Sequence, residues 1–356
     1  MLTFKDKIIL VTGGTGSMGK TFIRTVLNNE KEIPKKIIVF SRDEAKQHEM
    51  RMEYFNKKIS TEEIIYENFL NVLEFRIGDV RNYSDVCSAL KDVDIVVNAA
   101  ALKQVPTCEY FPVQALQTNC LGPSNIVRAI EQNSYAIDTV IGISTDKACK
   151  PINVMGMTKS LQERIFISGN ILAPKTRFIC VRYGNVLASR GSVIPLFHHQ
   201  LKNNGPLTIT DENMTRFLLT LDDAVSTVIA ALREANAGEI YIPKAPSANM
   251  LNIAKALIGD RKIDIKIIGV RPGEKMHEIL ISEEEINHCV NRKNYFSILP
   301  MLPELQKDEL KISQPLNAEL SSADNVLNLD ETLKLLEKNK LTFQDIATNE
   351  TNEILR

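Results

Sequence analysis

The sequence predicts an α/β protein built on a doubly wound parallel sheet, with a smaller C-terminal lobe. In residues 1–184, short apolar runs rich in β-branched side chains alternate with longer helical patterns. Strands buried on both faces of a parallel sheet are typically such continuous apolar runs. The chain has 356 residues, and at roughly 150 residues per domain this length indicates two units.

The predicted elements of the first half alternate strictly between strand and helix, as crossover connections require. Strands are predicted at Ile8–Thr12, Lys36–Phe40, Leu73–Ile77, Asp94–Asn98, Thr139–Ser144 and Thr176–Arg182. Helices are predicted at Thr21–Asn29, Val113–Gln132 and Asn153–Ile167. Later elements are predicted at Val193–Lys202, Asp222–Glu234, Glu239–Ile242, Ile263–Val270 and Asp330–Lys338. We assign 1–184 plus about 220–245 to the sheet domain, and about 185–219 plus 246–356 to the lobe and a polar tail. The charged stretch 57–71 is predicted to be a surface insertion.

The composition argues against several classes of function. Forty-three Lys and Arg balance 44 Asp and Glu, so general binding to nucleic acid or to an anionic membrane has no support. No apolar run reaches the ~18 residues of a membrane span. The six cysteines form no CxxC motif, which indicates reduced thiols in a cytoplasmic protein. We expect no metal site.

A glycine loop, Thr12–Gly19, follows the first strand and opens a helix. Its glycine spacing allows a tight turn, lets the backbone approach a pyrophosphate, and lets helix and strand pack closely, as in Rossmann folds. The helix N-terminus then offers free N–H groups to the phosphates. We expect the cofactor to contact Gly13, Thr15, Gly16, Ser17, Met18, Gly19, Asp79, Val80, Ala99 and Ala100.

The end of the second strand bears on which dinucleotide binds. NAD binders usually place a carboxylate there to hold the ribose hydroxyls. Here Ser41 and Arg42 end the strand, with Lys46 one helical turn later. Together they favour NADP, since they could hold a 2′-phosphate. Alternatively Arg42 pairs with Asp43 or Glu44 on the surface, and NAD stays possible.

Several longer motifs carry a family resemblance. They are Asn98–Ala101, Ala101–Pro106, Ser144–Lys147, Arg182–Val186, Ser189–Pro195, Met214–Phe217 and Arg271–Lys275. With the glycine loop they resemble the extended short-chain dehydrogenase/reductases, and within these the nucleotide-sugar 4,6-dehydratases of capsular-polysaccharide synthesis. The resemblance runs from about residue 5 to 285. It implies a homo-oligomeric, NADP-dependent UDP-N-acetylglucosamine 4,6-dehydratase of the 5-inverting type, which supplies deoxy-amino sugars for surface polysaccharide or glycan synthesis.

The family pattern of Thr/Ser followed by Tyr-x-x-x-Lys is incomplete here. Thr145 and Lys159 fill its outer positions, but Met155 occupies the tyrosine position. A thioether cannot transfer a proton. Either catalysis has been lost or another group replaces the phenol, and the resemblance favours the second, because the 5-inverting sub-branch also carries Met.

The resemblance implies that Asp146 and Lys147 perform the dehydration. Oxidation at sugar C4 makes the C5 hydrogen acidic, so elimination then needs a base at C5 and an acid at the C6 hydroxyl. We expect Asp146 as the acid with a raised pKa and Lys147 as the base with a lowered pKa. A surface ion pair is the alternative for these two residues. Lys159 should hold the nicotinamide ribose, and the C4-hydroxyl proton should pass to Lys147, Lys103 or water.

The resemblance implies that the smaller C-terminal lobe binds the substrate, and the same motifs suggest which residues do so. Arg216 and Arg271 are candidates for the diphosphate because guanidinium forks match phosphate oxygens. The other candidates are Asn185 beside them, Glu274 for the uridine ribose, Val193 for the uracil, Arg190 to close the pocket, and Lys103. His198-His199, three cysteines (Cys108, Cys149, Cys180) and the acidic helix start Glu283–Glu285 are expected to be structural or solvated.

Two alternative functions stay open. A UDP-hexose 4-epimerase would share the oxidation step, and a non-catalytic NADP-binding regulatory protein would keep only the cofactor site. Loss of one water from the substrate separates a dehydratase from both.

Overall fold

A computed structural model describes residues 3–56, 71–187, 192–306 and 315–347. Its strands are β1 Ile8–Thr12, β2 Lys36–Ser41, β3 Leu73–Ile77, β4 Ile95–Asn98, β5 Thr139–Ile143, β6 Arg177–Val181, β7 Asn185–Val186, β8 Leu207–Ile209, β9 Thr215–Leu219, β10 Ile240–Pro243, β11 Ser247–Asn249, β12 Ile265–Ile267, β13 Ile279–Ile281, β14 Cys289–Arg292, β15 Tyr295–Ile298, β16 Leu320–Ser321 and β17 Val326–Leu327. Its α-helices are α1 Ser17–Leu27, α2 Glu44–Asn56, α3 Tyr83–Leu90, α4 Val105–Tyr110, α5 Pro112–Leu116, α6 Gly122–Asn133, α7 Val154–Leu172, α8 Val193–Lys202, α9 Leu221–Glu234, α10 Met250–Ile258, α11 Glu283–Ile286, α12 Leu329–Lys338 and α13 Phe343–Ala347.

The main sheet has nine strands in the order β14-β15-β10-β6-β5-β4-β1-β2-β3, which confirms the predicted α/β class. The seven strands β10, β6, β5, β4, β1, β2 and β3 run parallel. Strands β14 and β15 add an antiparallel hairpin at the β10 edge. Successive side chains face opposite sides, so Ile9 and Val11 enter one core while Leu10 enters the other. Burial on both faces explains the continuous apolar runs.

The hairpin corrects part of the predicted domain division. Residues 289–298 pair with β10 in the main sheet, although the sequence assigned them to the smaller lobe. Antiparallel pairing lets a short hairpin cover the sheet edge without a crossover helix. The rest of the division stays a prediction.

The long helix predicted at Val113–Gln132 is interrupted. A π-helical turn over Gln117–Leu121 separates α5 from α6. Pro123 has no N–H to donate to the residues before it. Within the turn, Asn119 accepts from Leu102 N–H (2.8 Å) and donates to Thr158 Oγ1 (3.0 Å). Such turns occur often at functional sites, and this one ties the segment after β4 to α7.

The second half builds the smaller lobe around its own core. This lobe contains the sheet β17-β11-β9-β7 and the pair β12-β8, with α8, α10 and α12 packed against them. The tail is more structured than predicted, because β16 pairs with β13 and β17 with β11. His198 is buried and bonds the Leu341 carbonyl. Most of the predicted 57–71 insertion lies outside the described residues. Within the described ranges, no helix has the length and apolar character of a bilayer span.

Candidate active site

The crevice lies where the strand order reverses, between β1 and β4. Open α/β sheets bind ligands at this point, outside the carboxyl ends of the strands. The loop after β1 contacts the segment after β4: a Cβ on Gly13 would lie 2.8 Å from Ala100 Cα, and Gly13 has φ +64°. Glycine is therefore required there. Ala100 N–H also bonds Thr12 Oγ1 (3.2 Å).

The first turn of α1 is open to an anion. Gly16 is the N-cap and carries no side chain that could bond the first N–H groups. A Cβ on Gly16 would meet only the Gly13 carbonyl, at 3.3 Å, whereas one on Gly19 would meet Gly14 Cα at 2.5 Å. Gly19 therefore serves packing, and Gly16 leaves room for a ligand. This cradle fits a dinucleotide pyrophosphate. We call residues 13–19, 41–46 and 99–100 the dinucleotide crevice.

At the ribose end of the crevice, the predicted trio is only partly assembled. Ser41 Oγ lies 3.2 Å from Thr15 Oγ1. Lys46 Nζ pairs with Asp43 at 2.6 Å instead of joining Ser41, and this hydrogen bond lowers the pKa of Asp43. Arg42 is 58% exposed and lies 3.8 Å from Asp79 Oδ2.

The residues expected near the adenine are also engaged by protein groups. Asp79 accepts three side-chain hydrogen bonds from Arg81 (2.6–3.0 Å). Burial raises the pKa of Asp79, but Arg81 more than offsets this and the pKa is lowered. Val80 is buried, and its carbonyl accepts from Asn125.

A cluster of charged groups follows β5. The turn Asp146–Ala148 begins at Thr145, whose Oγ1 donates to Asp146 Oδ1 (2.9 Å). Lys147 Nζ lies 3.1 Å from Asp146 Oδ1, from Asn185 Oδ1 and from Glu278 Oε1. We call Asp146, Lys147 and Glu278 the proton-transfer cluster, after the role that we propose below for Asp146 and Lys147. The structure thus places Asp146 and Lys147 in a buried group, and the alternative of a surface ion pair is wrong.

Burial and neighbouring charge determine the protonation of this cluster. Asp146 is fully buried, which raises its pKa, and the Lys147 ammonium offsets this only in part. Asp146 Oδ2 has no hydrogen-bond partner among the described residues. The expected lowering of the Lys147 pKa is wrong: burial lowers it, but Asp146 and Glu278 together raise it above its ordinary value. The resting Lys147 is therefore an ammonium.

Glu278 is a member of this cluster that the sequence pattern does not single out. It lies just before β13 and three residues beyond the Arg271–Lys275 motif, so its only signal was an acidic residue next to an apolar run. That pattern is common on surfaces, yet Glu278 is 2% exposed. Only tertiary packing brings it to Lys147.

Three predicted substrate residues meet beside the cluster. Arg216 is buried on β9, donates to the Thr215 carbonyl (2.7 Å) and lies 3.9 Å from Glu278 Oε1. With Asn185 and Val193 it lines a small cavity in the lobe.

The other predicted substrate residues are placed differently. Arg271 is exposed, and Glu274 accepts from its backbone N–H (3.2 Å), so the two close a turn of their own. In this motif it is Lys275 that reaches inward, donating to the Cys149 carbonyl (2.6 Å). Lys103 is exposed after β4. Arg190 lies outside the described residues.

The modified Tyr-x-x-x-Lys segment forms the start of α7. Met155 is buried among apolar neighbours that include Cys108 and Ala115. Lys159 Nζ donates to the Ile143 carbonyl (2.8 Å) and to Gln162 (2.9 Å). Burial of the Lys159 side chain lowers its pKa to about 8. Lys159 thus places a titratable amine next to the last residue of β5.

A buried ion network lies behind the cluster. Arg182 is 1% exposed and bonds Glu163 (2.7 Å) and Glu285 (2.8 Å). Ser144, next to Thr145, donates to Glu163. The expectation that Glu283–Glu285 is solvated is therefore wrong for Glu285, because Arg182 draws its carboxylate inside.

The remaining structural expectations concern thiols and metals. Cys108, Cys149 and Cys180 are buried free thiols, as predicted. Among the described residues, no three His, Cys, Asp or Glu side chains converge in a way that could hold a metal ion.

Comparisons with known proteins agree with this architecture. A family model described as "Polysaccharide biosynthesis protein" matches residues 9–300. A Rickettsia bellii protein named UDP-glucose 4-epimerase is 47% identical over 301 residues, 83% of each chain. A Campylobacter jejuni protein named UDP-N-acetylglucosamine 4,6-dehydratase (inverting) is 42% identical over 302 residues, 84% of each chain.

Solved structures extend the comparison to the fold. The X-ray structure of Pen from Bacillus thuringiensis is 34% identical, with a TM-score of 0.84, and the match covers 96% of this chain and 100% of that one. The dTDP-glucose 4,6-dehydratase DesIV from Streptomyces venezuelae, solved with NAD and TYD bound, is 19% identical with a TM-score of 0.64 over 76% of this chain and 86% of that one. The chain belongs to the polysaccharide biosynthesis protein family, within the extended short-chain dehydrogenase/reductases.

Proposed function

We propose that this protein is a UDP-N-acetylglucosamine 4,6-dehydratase that inverts C5. The observation that carries the proposal is the proton-transfer cluster: a buried carboxylic acid and a lysine held side by side at the end of β5. Elimination of water across C5–C6 needs these two kinds of group. The Campylobacter relative, named for this activity, supports the substrate and the inversion.

The cofactor we propose is NADP, cradled by Gly13, Gly16 and the first turn of α1. When bound, its nicotinamide supplies reversible oxidation of sugar C4, which acidifies the C5 hydrogen. Arg42 is largely exposed beside Ser41 and can meet a 2′-phosphate, whereas the nearby carboxylate of Asp43 is bound by Lys46. Removing the guanidinium in Arg42→Ala should weaken NADP⁺ binding about 10- to 100-fold and leave NAD⁺ binding unchanged. Equal weakening of both in a titration would argue for NAD.

The protein's own groups then move two protons. Asp146, whose protonated form is favoured by its burial, donates from Oδ2 to the departing C6 hydroxyl. Lys147, once it has released a proton to water, takes the C5 hydrogen as a proton. The C4-hydroxyl proton that the oxidation releases passes to Lys103 or to water. Thr145 fixes the Asp146 carboxyl through Oδ1, so Oδ2 is the oxygen without a hydrogen-bond partner among the described residues. Arg216 and Asn185 hold the diphosphate end of the substrate.

A UDP-hexose 4-epimerase is the second candidate, because the 47% identical Rickettsia relative carries that kind of name. Mass spectrometry of the product separates the two. The dehydratase proposal predicts loss of one water from UDP-N-acetylglucosamine, and an epimerase leaves the mass of its UDP-sugar unchanged. Unchanged substrates despite bound dinucleotide would instead indicate a non-catalytic protein.

A further inference from the structure

Glu278 is a buried carboxylate without a role in the proton transfers proposed above. Its Oε1 lies 3.1 Å from Lys147 Nζ, and its Oε2 has no hydrogen-bond partner among the described residues. A carboxylate removed from water stays ionised only beside a cation. Lys147 is that cation, since Arg216 Nε stands farther away, at 3.9 Å. The side chain is therefore placed to act on Lys147.

We propose that Glu278 is a positioning residue that holds the Lys147 ammonium in place and sets the pH at which it becomes a free amine. The proposal rests on the proposed function, because Lys147 is the base of that reaction. Lys147 Nζ lies 3.1 Å from an oxygen of each of Asp146, Asn185 and Glu278. Asn185 carries no charge, so the two carboxyl groups decide how firmly the proton is held.

The two carboxyl groups differ in the direction of their pKa shifts. Complete burial raises the pKa of Asp146 and so favours its protonated form. Burial also raises the pKa of Glu278, but Lys147 and Arg216 together hold it below its ordinary value. Glu278 is therefore the charged counter-ion of Lys147 at neutral pH.

Other charges face Lys147 from the neighbouring elements. The positive charge of Arg216 on β9 lowers the pKa of Lys147. Lys275 is also near, and the repulsion between the two lysines lowers the pKa of Lys275. Without Glu278, Lys147 would face two cations and the carboxyl group of Asp146, whose protonated form is favoured by burial. The amine would then form at lower pH, because opposite charge within a few ångströms shifts a pKa by about 1–3 units.

The test measures Lys147 directly. Acetic anhydride modifies only the free amine, so the labelling rate of Lys147, followed by peptide mass spectrometry, reports its titration. In Glu278→Gln we expect the midpoint of the Lys147 labelling titration to move down by about 1–3 pH units. The part of the dehydration pH profile that depends on Lys147 should move by the same amount. The control Glu319→Gln removes a carboxylate that pairs with Lys150 at 2.6 Å, and should move neither.

An unchanged Lys147 midpoint in folded Glu278→Gln would overturn the proposal. If that variant does not fold, Glu278→Asp takes its place. It keeps the negative charge but moves it away from Lys147 by one methylene, so we expect a smaller shift of the Lys147 midpoint in the same direction. No shift in Glu278→Asp would overturn the proposal. Labelling needs no turnover. A wild-type protein that forms no dehydrated product would therefore defeat the proposed function while the labelling still decides the role of Glu278.

Discussion

The dinucleotide crevice and the proton-transfer cluster lie at the same edge of the main sheet but are built differently. The crevice is made mainly of backbone: Gly13 and Gly16 shape it within one loop. The cluster is made of side chains from distant segments, since Asp146 and Lys147 meet Glu278 across more than 130 residues of chain. A backbone site can be encoded in a short motif, whereas a side-chain cluster depends on how the whole lobe packs.

The largest expected effect lies in the cluster. In Asp146→Asn the acid is lost with little change in shape, so dehydration measured in single turnover should fall by about 10²- to 10⁴-fold. Dinucleotide binding, measured by titration, should stay unchanged because the crevice keeps its backbone. The exposed Asp222→Asn serves as the control. Residual dehydration near the wild-type rate would show that Asp146 is not the acid.

The second effect concerns the support behind the cluster. Arg182→Met leaves the buried Glu163 and Glu285 without their cation, and breaking such a pair costs about 3–5 kcal/mol of unfolding free energy. Denaturant unfolding measures this. Arg233→Met, which removes a partly exposed pair with Glu32, should cost at most about 1 kcal/mol. A similar loss in both variants would contradict a special role for the network.

The same variant has a defined pH dependence. Burial raises the pKa of Glu285, but Arg182 outweighs this and lowers it in the folded protein. The wild type therefore gains stability from Glu285 above its unfolded pKa and loses it in acid. In Arg182→Met the pKa of Glu285 in the folded state should lie above its pKa in the unfolded state. The variant's loss of unfolding free energy relative to the wild type should therefore shrink as the pH falls from about 8 to about 5. A deficit independent of pH would contradict this.

A smaller effect sharpens the comparison within the crevice. Gly19→Ala puts a Cβ 2.5 Å from Gly14 Cα and should destabilise the fold by about 1–3 kcal/mol. Gly16→Ala meets only a carbonyl at 3.3 Å and should keep stability within about 0.5 kcal/mol, while weakening dinucleotide binding. Thermal unfolding and dinucleotide titration of both variants separate the two roles. Equal stability losses would mean that Gly16 is also a packing residue.

The smallest effect comes from the tail. Ser322 is buried, accepts from Glu278 N–H (2.9 Å) and lies 2.8 Å from Thr215 Oγ1. Ser322→Ala leaves that N–H without its partner and should cost about 1–2 kcal/mol. The neighbouring, more exposed Ser321→Ala should cost under about 0.5 kcal/mol. Denaturant midpoints compare the two, and equal midpoints would show that the tail does not brace Glu278.

The strands and the glycine loop that shape the crevice could be predicted from the sequence for physical reasons. Strands such as β1 and β5 are recognisable because burial on both faces leaves only apolar residues. The glycine loop is recognisable because backbone approach excludes side chains at fixed spacings. Asp146 and Lys147 were found through a family resemblance.

The remaining features depend on tertiary structure. Glu278, Arg182 and Ser322 look like ordinary polar residues in the sequence and are buried only in the folded chain. For the same reason the expected lowering of the Lys147 pKa is wrong. The carboxylate of Glu278 helps to raise that pKa, and no local sequence pattern connects Glu278 to Lys147.

The central claim is that the cluster moves the C5 and C6 protons of a UDP-sugar. Incubation with UDP-N-acetylglucosamine in deuterated water, followed by proton NMR of the product, tests it most directly. The account predicts a 4-keto-6-deoxy sugar with inverted C5 that carries deuterium, and with the former C4 hydrogen in its methyl group. Recovery of the starting sugar, or of its C4 epimer with the C5 hydrogen undisturbed, would contradict it.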